Sequence, residues 1–332
     1  MKGMRVRPQK SGKTYYYFDT GTQEVPLGSD YIIAVQKWVE LAQDKTKVVV
    51  TFKDLADKYA QEELPLKAKS TQATQRGDIK MLREFFGTPV DAPINQIKPK
   101  HIWALLEWKK STPTTANRLK RVFSHMFNKA RQWGYTEREN PVRGIEGFAL
   151  GKREVDVSEA VYKAVWNVAS EPLRDAMDLA YLTGQRPGDV LQFNERQIVD
   201  GVFIIKKQSK TGTPLRIRVE GEFGQLLERI AQRKSKYKVW CTSLTVNLQG
   251  LALTKHTLRN HFEPARAAAA AANPALAEEI KAMWFYDLRA KAADDTADDH
   301  GDQAAADLLG HKNVATTQRH YLRRGKKVGP TR

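Results

Sequence analysis

The chain has 332 residues, and its 55 lysines and arginines against 38 aspartates and glutamates give a formal net charge of +17 at pH 7. Hydrophobic residues make up 41%, enough for packed cores, which excludes wholesale disorder; no apolar run approaches the roughly 20 residues of a spanning helix, and the single cysteine, Cys241, excludes an intramolecular disulfide framework and a cysteine zinc cage. So large a positive excess speaks of partners rather than of fold: nucleic acid is the first expectation, and an acidic membrane surface is unsupported by any basic amphipathic anchor or lipidation motif.

The chain opens on Met1-Lys2-Gly3-Met4-Arg5, which is basic but lacks the apolar stretch of a secretory signal. With one cysteine, a reducing cytoplasm is the expected setting. Thr14 to Asp19 holds three tyrosines and a phenylalanine between turn residues, and Pro26 and Gly28 punctuate the next stretch, so residues 1–30 read as short strands of a small sheet. Lys2, Arg5, Arg7, Lys10 and Lys13 gather around its first strand. Asp30 to Ala42 carries apolar residues at helical spacing, which completes a module of 1–45; residues 43–50 read as a connector.

A helix is predicted from Thr51, with Asp54 three residues on as a capping-box partner and Pro65 as its end. Helices follow over 70–86, from Pro99, and over 114–133, where Leu119, Val122, Phe123, Met126 and Phe127 make one face and Arg118, Lys120, Arg121, Lys129 and Arg131 make another. Residues 51–143 thus read as an all-helical domain with a basic flank. The three glycines of 144–153 mark a linker. From 154 to 332 the pattern gives helices at 158–170 and 172–183, a strand–turn–strand hairpin over 197–219, and helices at 222–234, 257–272, 275–283, 287–297 and 301–309.

Four short segments of this last region carry candidate chemistry. They are Thr183-Gly184-Gln185-Arg186-Pro187-Gly188-Asp189, Lys210 in the hairpin turn, Tyr286-Asp287-Leu288-Arg289, and Leu309-Gly310-His311 followed ten residues later by Tyr321. Each alone has an ordinary structural explanation: a surface arginine, a turn lysine, a helix end with a satisfied histidine. Together and in this order they resemble the tyrosine recombinase family, its phage integrase branch in particular. Thr183, Gly184, Arg186 and Asp189 match the family's first arginine motif. Lys210 matches its hairpin lysine, Arg289 the arginine of its H-x-x-R box, and His311 its L-G-H box. Tyr321 matches its nucleophile and is the one tyrosine beyond Arg289. Tyr286 departs from the pattern, standing where the family usually has histidine.

The resemblance implies a multidomain, mainly α fold. Its parts are a small N-terminal β-sheet module (1–45) for arm-type DNA sites, an all-helical, SAM-like core-binding domain (51–143), a linker (144–153), and an α+β catalytic domain (154–332) with a small antiparallel sheet. It implies an enzyme that cuts and rejoins DNA through a 3′-phosphotyrosine, integrating and excising phage or other mobile DNA in a bacterial chromosome. Arg186 and Arg289 would hold the phosphate with forked, permanently charged donors. Tyr321 would attack phosphorus, Lys210 would protonate the leaving 5′ oxygen, His311 would bond the phosphate, and Tyr286 would orient or pack. A covalent intermediate conserves the bond energy, so no cofactor and no metal is expected. The implied partners are double-stranded DNA at core and arm sites and three further copies of the chain in a homotetramer, acting at the nucleoid with no membrane. Whether host DNA-bending and directionality factors take part is left open. His320 is read as a DNA or packing contact, the basic segment 322–327 as contacting DNA or a neighbouring protomer, and the aspartates at 294, 295, 298, 299 and 302 as a solvated helix end rather than a metal site. Two alternatives stay open at this point: a type IB topoisomerase-like nicking–closing enzyme, and a non-catalytic DNA-binding protein of the same fold.

Overall fold

A computed structural model of the chain describes residues 3–9, 11–21, 23–46, 49–325 and 329–331. The chain divides into two compact units, Met1–Gly151 and Lys152–Arg332. The first contains two separate hydrophobic clusters. Strands β1 (Met4–Pro8), β2 (Thr14–Asp19) and β3 (Glu24–Gly28) form an antiparallel sheet in chain order. Phe18, Leu27 and Ala34 bury its inner face under helix α1 (Tyr31–Thr46). That helix runs four residues past the predicted 30–42, so part of the expected 43–50 connector is helical. Arg5 and Arg7 pair with Asp19 and Glu24 across the sheet at 2.6–3.0 Å yet keep more than half their side-chain surface in solvent. Lys2 and Lys10 lie outside the described residues.

The second cluster belongs to α2 (Phe52–Glu62), α3 (Lys69–Gly87), α4 (Pro99–Trp108) and α5 (Pro113–Gln132). The predicted capping box is present: the Asp54 backbone N–H donates to Thr51 Oγ1, and the Thr51 N–H donates to the Asp54 carboxylate at 2.9 Å. Pro99 and Pro113 occupy first helical turns, where a missing N–H costs nothing. Phe52, Phe86, Phe123 and Phe127 interlock with successive ring centroids 4.9–5.9 Å apart. The basic flank of α5 is less free than its sequence suggests. Arg118 clasps the buried Asp78 at 2.9 and 3.0 Å, Lys129 pairs with Glu63 at 2.7 Å, and Lys120 donates to the Ile145 carbonyl. Arg121 and Arg131 are exposed. The expected 144–153 linker is held as far as Phe148, whose backbone bonds the Asn117 amide at 2.8 and 2.9 Å.

The unit Lys152–Arg332 starts with α6 (Glu159–Val168), α7 (Glu171–Thr183) and the single turn α8 (Pro187–Val190). The expected hairpin is the longer part of a three-stranded antiparallel sheet of β4 (Ile198–Val199), β5 (Val202–Ile205) and β6 (Leu215–Arg218). Helices α9 (Gly221–Lys234), α10 (Lys255–Ala272), α11 (Ala277–Ala282), α12 (Leu288–Leu309) and α13 (Val314–His320) follow. The two helices predicted at 287–297 and 301–309 are one element, α12, broken at Gly301, where φ is 85°. Helix α13 was not predicted; Asn313 caps it by accepting the Ala315 N–H. Leu173, Met177, Ala180, Phe203, Ile230 and Leu288 are among the residues that close the core around α7. Among the described residues no helix is long and apolar enough to cross a membrane.

Deep in this unit Arg233 of α9 bonds Asp175 of α7 at 2.6 and 2.7 Å, both side chains nearly dry. Removing one partner of such a pair strands a buried charge. Asp175→Ala is therefore expected to lower stability by about 3–5 kcal/mol, measured by denaturant unfolding of the full chain.

Candidate active site

The site is assembled at helix ends. Helix α7 stops at Gly184, whose left-handed backbone (φ 63°) turns the chain sharply. A Cβ at Gly184 would stand 3.1 Å from both Leu308 and Leu309, so the turn packs directly against the end of α12. Two residues later Arg186 caps α8. Helix α12 likewise ends at Gly310 (φ 68°), which delivers His311. Arg289 lies in the first turn of α12, Tyr286 in the 3-10 turn Phe285–Asp287 before it, and Tyr321 at the end of α13.

These elements bring Arg186, Tyr286, Arg289, His311 and Tyr321 into one cluster. Arg289 is 1% exposed. Its Nη1 donates to the Gly184 carbonyl at 2.6 Å, and its Nη2 donates to the Leu309 carbonyl at 2.9 Å and to His311 Nε2 at 3.1 Å. Because a guanidinium can only donate, Nε2 is the lone-pair nitrogen. The His311 proton therefore sits on Nδ1 and is donated to Thr317 Oγ1 at 2.8 Å. Burial, then the charges of Arg289 and Arg186, push the His311 pKa down to about 4, so the ring is neutral near pH 7. Both ring nitrogens are engaged, which sets His311 behind Arg289 as an acceptor; the sequence analysis expected it to bond the phosphate.

Tyr321 packs against Ala290, Ala293, Ala305 and Leu309, with its ring 5.1 Å below the Arg289 guanidinium. Its hydroxyl is 2.8 Å from that of Tyr286. Burial alone would raise the Tyr321 pKa. The Arg289 charge, the hydrogen bond with Tyr286 and the Arg186 charge overcome this and hold it below its ordinary value. Burial and the Tyr321 contact push Tyr286 the other way, up to about 12. The two phenols thus divide into a poised oxygen and a retained donor. Arg186 is mostly buried, and its Nη1 has no hydrogen-bond partner; the nearest carboxylate oxygen, of Asp189, is 3.9 Å away. Arg289 Nε is likewise unpartnered. Buried, unsatisfied guanidinium nitrogens beside a phenol form a receptor for an anion.

Lys210 stands apart. It is exposed in the turn between β5 and β6, and no hydrogen bond or ion pair joins it to the cluster among the described residues. What is joined is its loop root: the Ser209 N–H donates to Asp189 Oδ1 at 2.9 Å, and Gln208 is buried against Gln185. The sequence reading missed Gln185, Gln208 and Thr317. Their positions inside or beside the motifs were visible; their burial was not.

The acidic segment of α12 is only partly solvated: Asp299 is exposed, while Asp298 meets Arg324 at 3.5 Å and Asp302 accepts from Gln318 at 2.6 Å. Asp294 accepts the backbone N–H groups of Arg323 and Arg324 at 2.8 and 3.4 Å, and Arg324 also bonds Asp295 and Asp156. Arg323 pairs with the buried Asp287 at 2.9 Å. Arg323 and Arg324 are thereby pinned to their own unit; Lys326 and Lys327 lie outside the described residues. Among the described residues no group of three or more histidine, cysteine, aspartate or glutamate side chains is placed to hold a metal ion. His320 is exposed.

A histidine whose folded pKa lies below its unfolded ~6.5 takes up its proton more readily when the chain unfolds. Its contribution is complete above pH ~6.5 and is lost as the pH falls toward 4. Over that window the wild-type melting temperature is expected to fall more steeply than that of His311→Gln, measured by thermal scans at pH 7, 6, 5 and 4.5.

Known proteins share this architecture. The phage integrase family pattern matches residues 154–327, and the phage integrase central domain pattern matches 52–145. The integrase of Enterobacteria phage 434 is 29% identical over 255 residues, covering 75% of this chain and 69% of that protein. The integrase of Escherichia phage lambda is 28% identical over 255 residues, with the same coverage. In fold the chain is similar to a lambda integrase dimer bound to a COC′ core site, with a TM-score of 0.73 at 23% identity over 100% of this chain and 98% of that one. It is also similar to a lambda integrase tetramer bound to a Holliday junction, with a TM-score of 0.72 at 22% identity over the same shares. The chain belongs to the phage integrase family and is a tyrosine-type site-specific recombinase.

Proposed function

We propose that this recombinase cuts and rejoins double-stranded DNA through a 3′-phosphotyrosine formed on Tyr321. The observation that carries the reading is the convergence of Arg186 and Arg289, with unpartnered nitrogens, on the one late tyrosine. The scissile phosphate enters between the two guanidinium groups, which bind its non-bridging oxygens and gain strength as charge builds there. The phenol proton leaves to water, and the Tyr286 hydroxyl donates to the oxygen left behind. The bond from Tyr321 Oη to phosphorus forms as the bond from phosphorus to O5′ breaks. Lys210 gives its proton to the departing 5′ oxygen. Attack by a partner strand's 5′-hydroxyl on the phosphotyrosine runs the same steps in reverse and releases the enzyme. Neutral His311 fixes the Arg289 fork from behind.

In this reading 1–45 binds arm-type sites, 51–143 and 154–332 grip the core site on either side of the linker 144–153, and four copies exchange four strands. The substrate is phage or other mobile DNA entering or leaving a bacterial chromosome, with DNA-bending and directionality factors as candidate helpers. Support comes from the net charge of +17 and from the DNA-bound dimer and tetramer of the similar lambda integrase. A cytoplasmic, nucleoid-bound protein fits the same reading.

The test is covalent capture from a randomised pool of nicked suicide duplexes. Wild type is expected to trap a defined core sequence at a 3′ phosphate, and Tyr321→Phe to bind the same duplex without an adduct; an adduct from that variant overturns the assignment. Arg289→Ala is expected to slow single-turnover cleavage of the captured duplex by ~10²–10³-fold. Tyr286→Phe removes a hydrogen bond that lowers the Tyr321 pKa. It is expected to shift the rising limb of the cleavage pH profile to higher pH.

A further inference from the structure

The lysine proposed as general acid stands on an exposed turn, yet it must meet a leaving oxygen at a phosphate held elsewhere. We propose that Gln208 is the positioning residue for Lys210, its buried amide fixing the root of the lysine loop to the arginine pocket. The inference rests on the reading of Lys210 as the acid.

Gln208 and Gln185 are both 0% exposed. One Nε2 hydrogen of Gln208 goes to Gln185 Oε1 at 2.6 Å and the other to the Leu309 carbonyl at 3.1 Å. That same carbonyl accepts Arg289 Nη2 at 2.9 Å, so a single oxygen joins the lysine loop to the arginine. Gln185 in turn donates to the carbonyls of Thr183 and Leu308, both at 2.9 Å. Every donor of the two amides is used, inside a dry region where an unmet polar group is costly. On its outer side Gln208 Oε1 accepts Thr211 Oγ1 at 2.7 Å, and the Gln208 backbone closes the turn with Thr213 and Gly212 at 3.0 and 2.9 Å. Lys210 sits between these two anchored ends. The packing admits little substitution beside it: a Cβ at Gly310 would lie 2.8 Å from Gln208 Nε2. A leucine at 208 would fill the space but would meet neither Gln185 nor Leu309.

The test separates loss of acid catalysis from loss of fold. Single-turnover cleavage is measured on the captured duplex and on the same duplex with sulfur in place of the bridging 5′ oxygen. A thiol, with pKa ~8.5, departs as thiolate without a proton, so a defect in the acid alone disappears on sulfur. Lys210→Ala is expected to slow the oxygen substrate by ~10²–10⁴-fold, Gln208→Leu by ~10–100-fold, and Thr211→Val by about two- to tenfold. All three recover toward the wild-type rate on sulfur, with DNA affinity unchanged. Thr211 is exposed, so its variant carries the test even if Gln208→Leu fails to fold. Recovery of Lys210→Ala without recovery of the other two overturns the positioning role alone. No recovery of Lys210→Ala overturns the acid assignment, and the positioning role falls with it. No slowing of Thr211→Val and Gln208→Leu on oxygen also overturns the proposal.

Discussion

The site depends on how Arg289 is kept charged while buried. An isolated cation in a dry interior is expensive, and the common remedy is a carboxylate. Among the described residues none pairs with Arg289. Its donors go instead to Gly184 at the end of α7 and to Leu309 at the end of α12. Both carbonyls lie where a helix leaves acceptors unsatisfied and where the helix dipole is negative. Two partial negative charges hold the guanidinium in place without neutralising it. The full positive charge stays available to an anion, which a carboxylate would have cancelled.

The same device sets the rest of the geometry. Gly184 and Gly310 end their helices in the left-handed conformation, which exposes those carbonyls and turns Arg186 and His311 inward. Arg289, so placed, lies against the Tyr321 ring and draws its phenol toward ionisation, while Tyr286 keeps its proton and serves as donor. A hydroxyl can donate a hydrogen bond as an imidazole N–H can, so in the proposed reaction the tyrosine at 286 keeps a donor at that position.

The segment behind Tyr321 shows a different use of charge. Arg323 and Arg324 meet Asp156, Asp287, Asp294 and Asp295, so the acidic run of α12 is a dock for the chain beyond the tyrosine. In the other unit, Arg118 and Lys129 on the flank of α5 have acidic partners of their own. A count of basic residues therefore overstates the surface open to a polyanion, while the exposed Arg121 and Arg131 remain on it.

The sequence determined the helices and strands that carry strong periodicity, the Thr51 cap, the two glycine helix ends and the identity of the residues at the site. Local rules suffice for these, because hydrophobic spacing, capping and left-handed glycine each act within a few residues. It did not reveal α13, a seven-residue helix too short for periodicity to register. Nor could it give the acceptor role of His311, the burial of Gln185 and Gln208, or the aspartate dock. Each of these depends on partners 22 to 168 residues away along the chain. Whether a polar side chain is solvated or paired is decided only when distant helix ends close on one another, which is why tertiary structure alone assigned those roles.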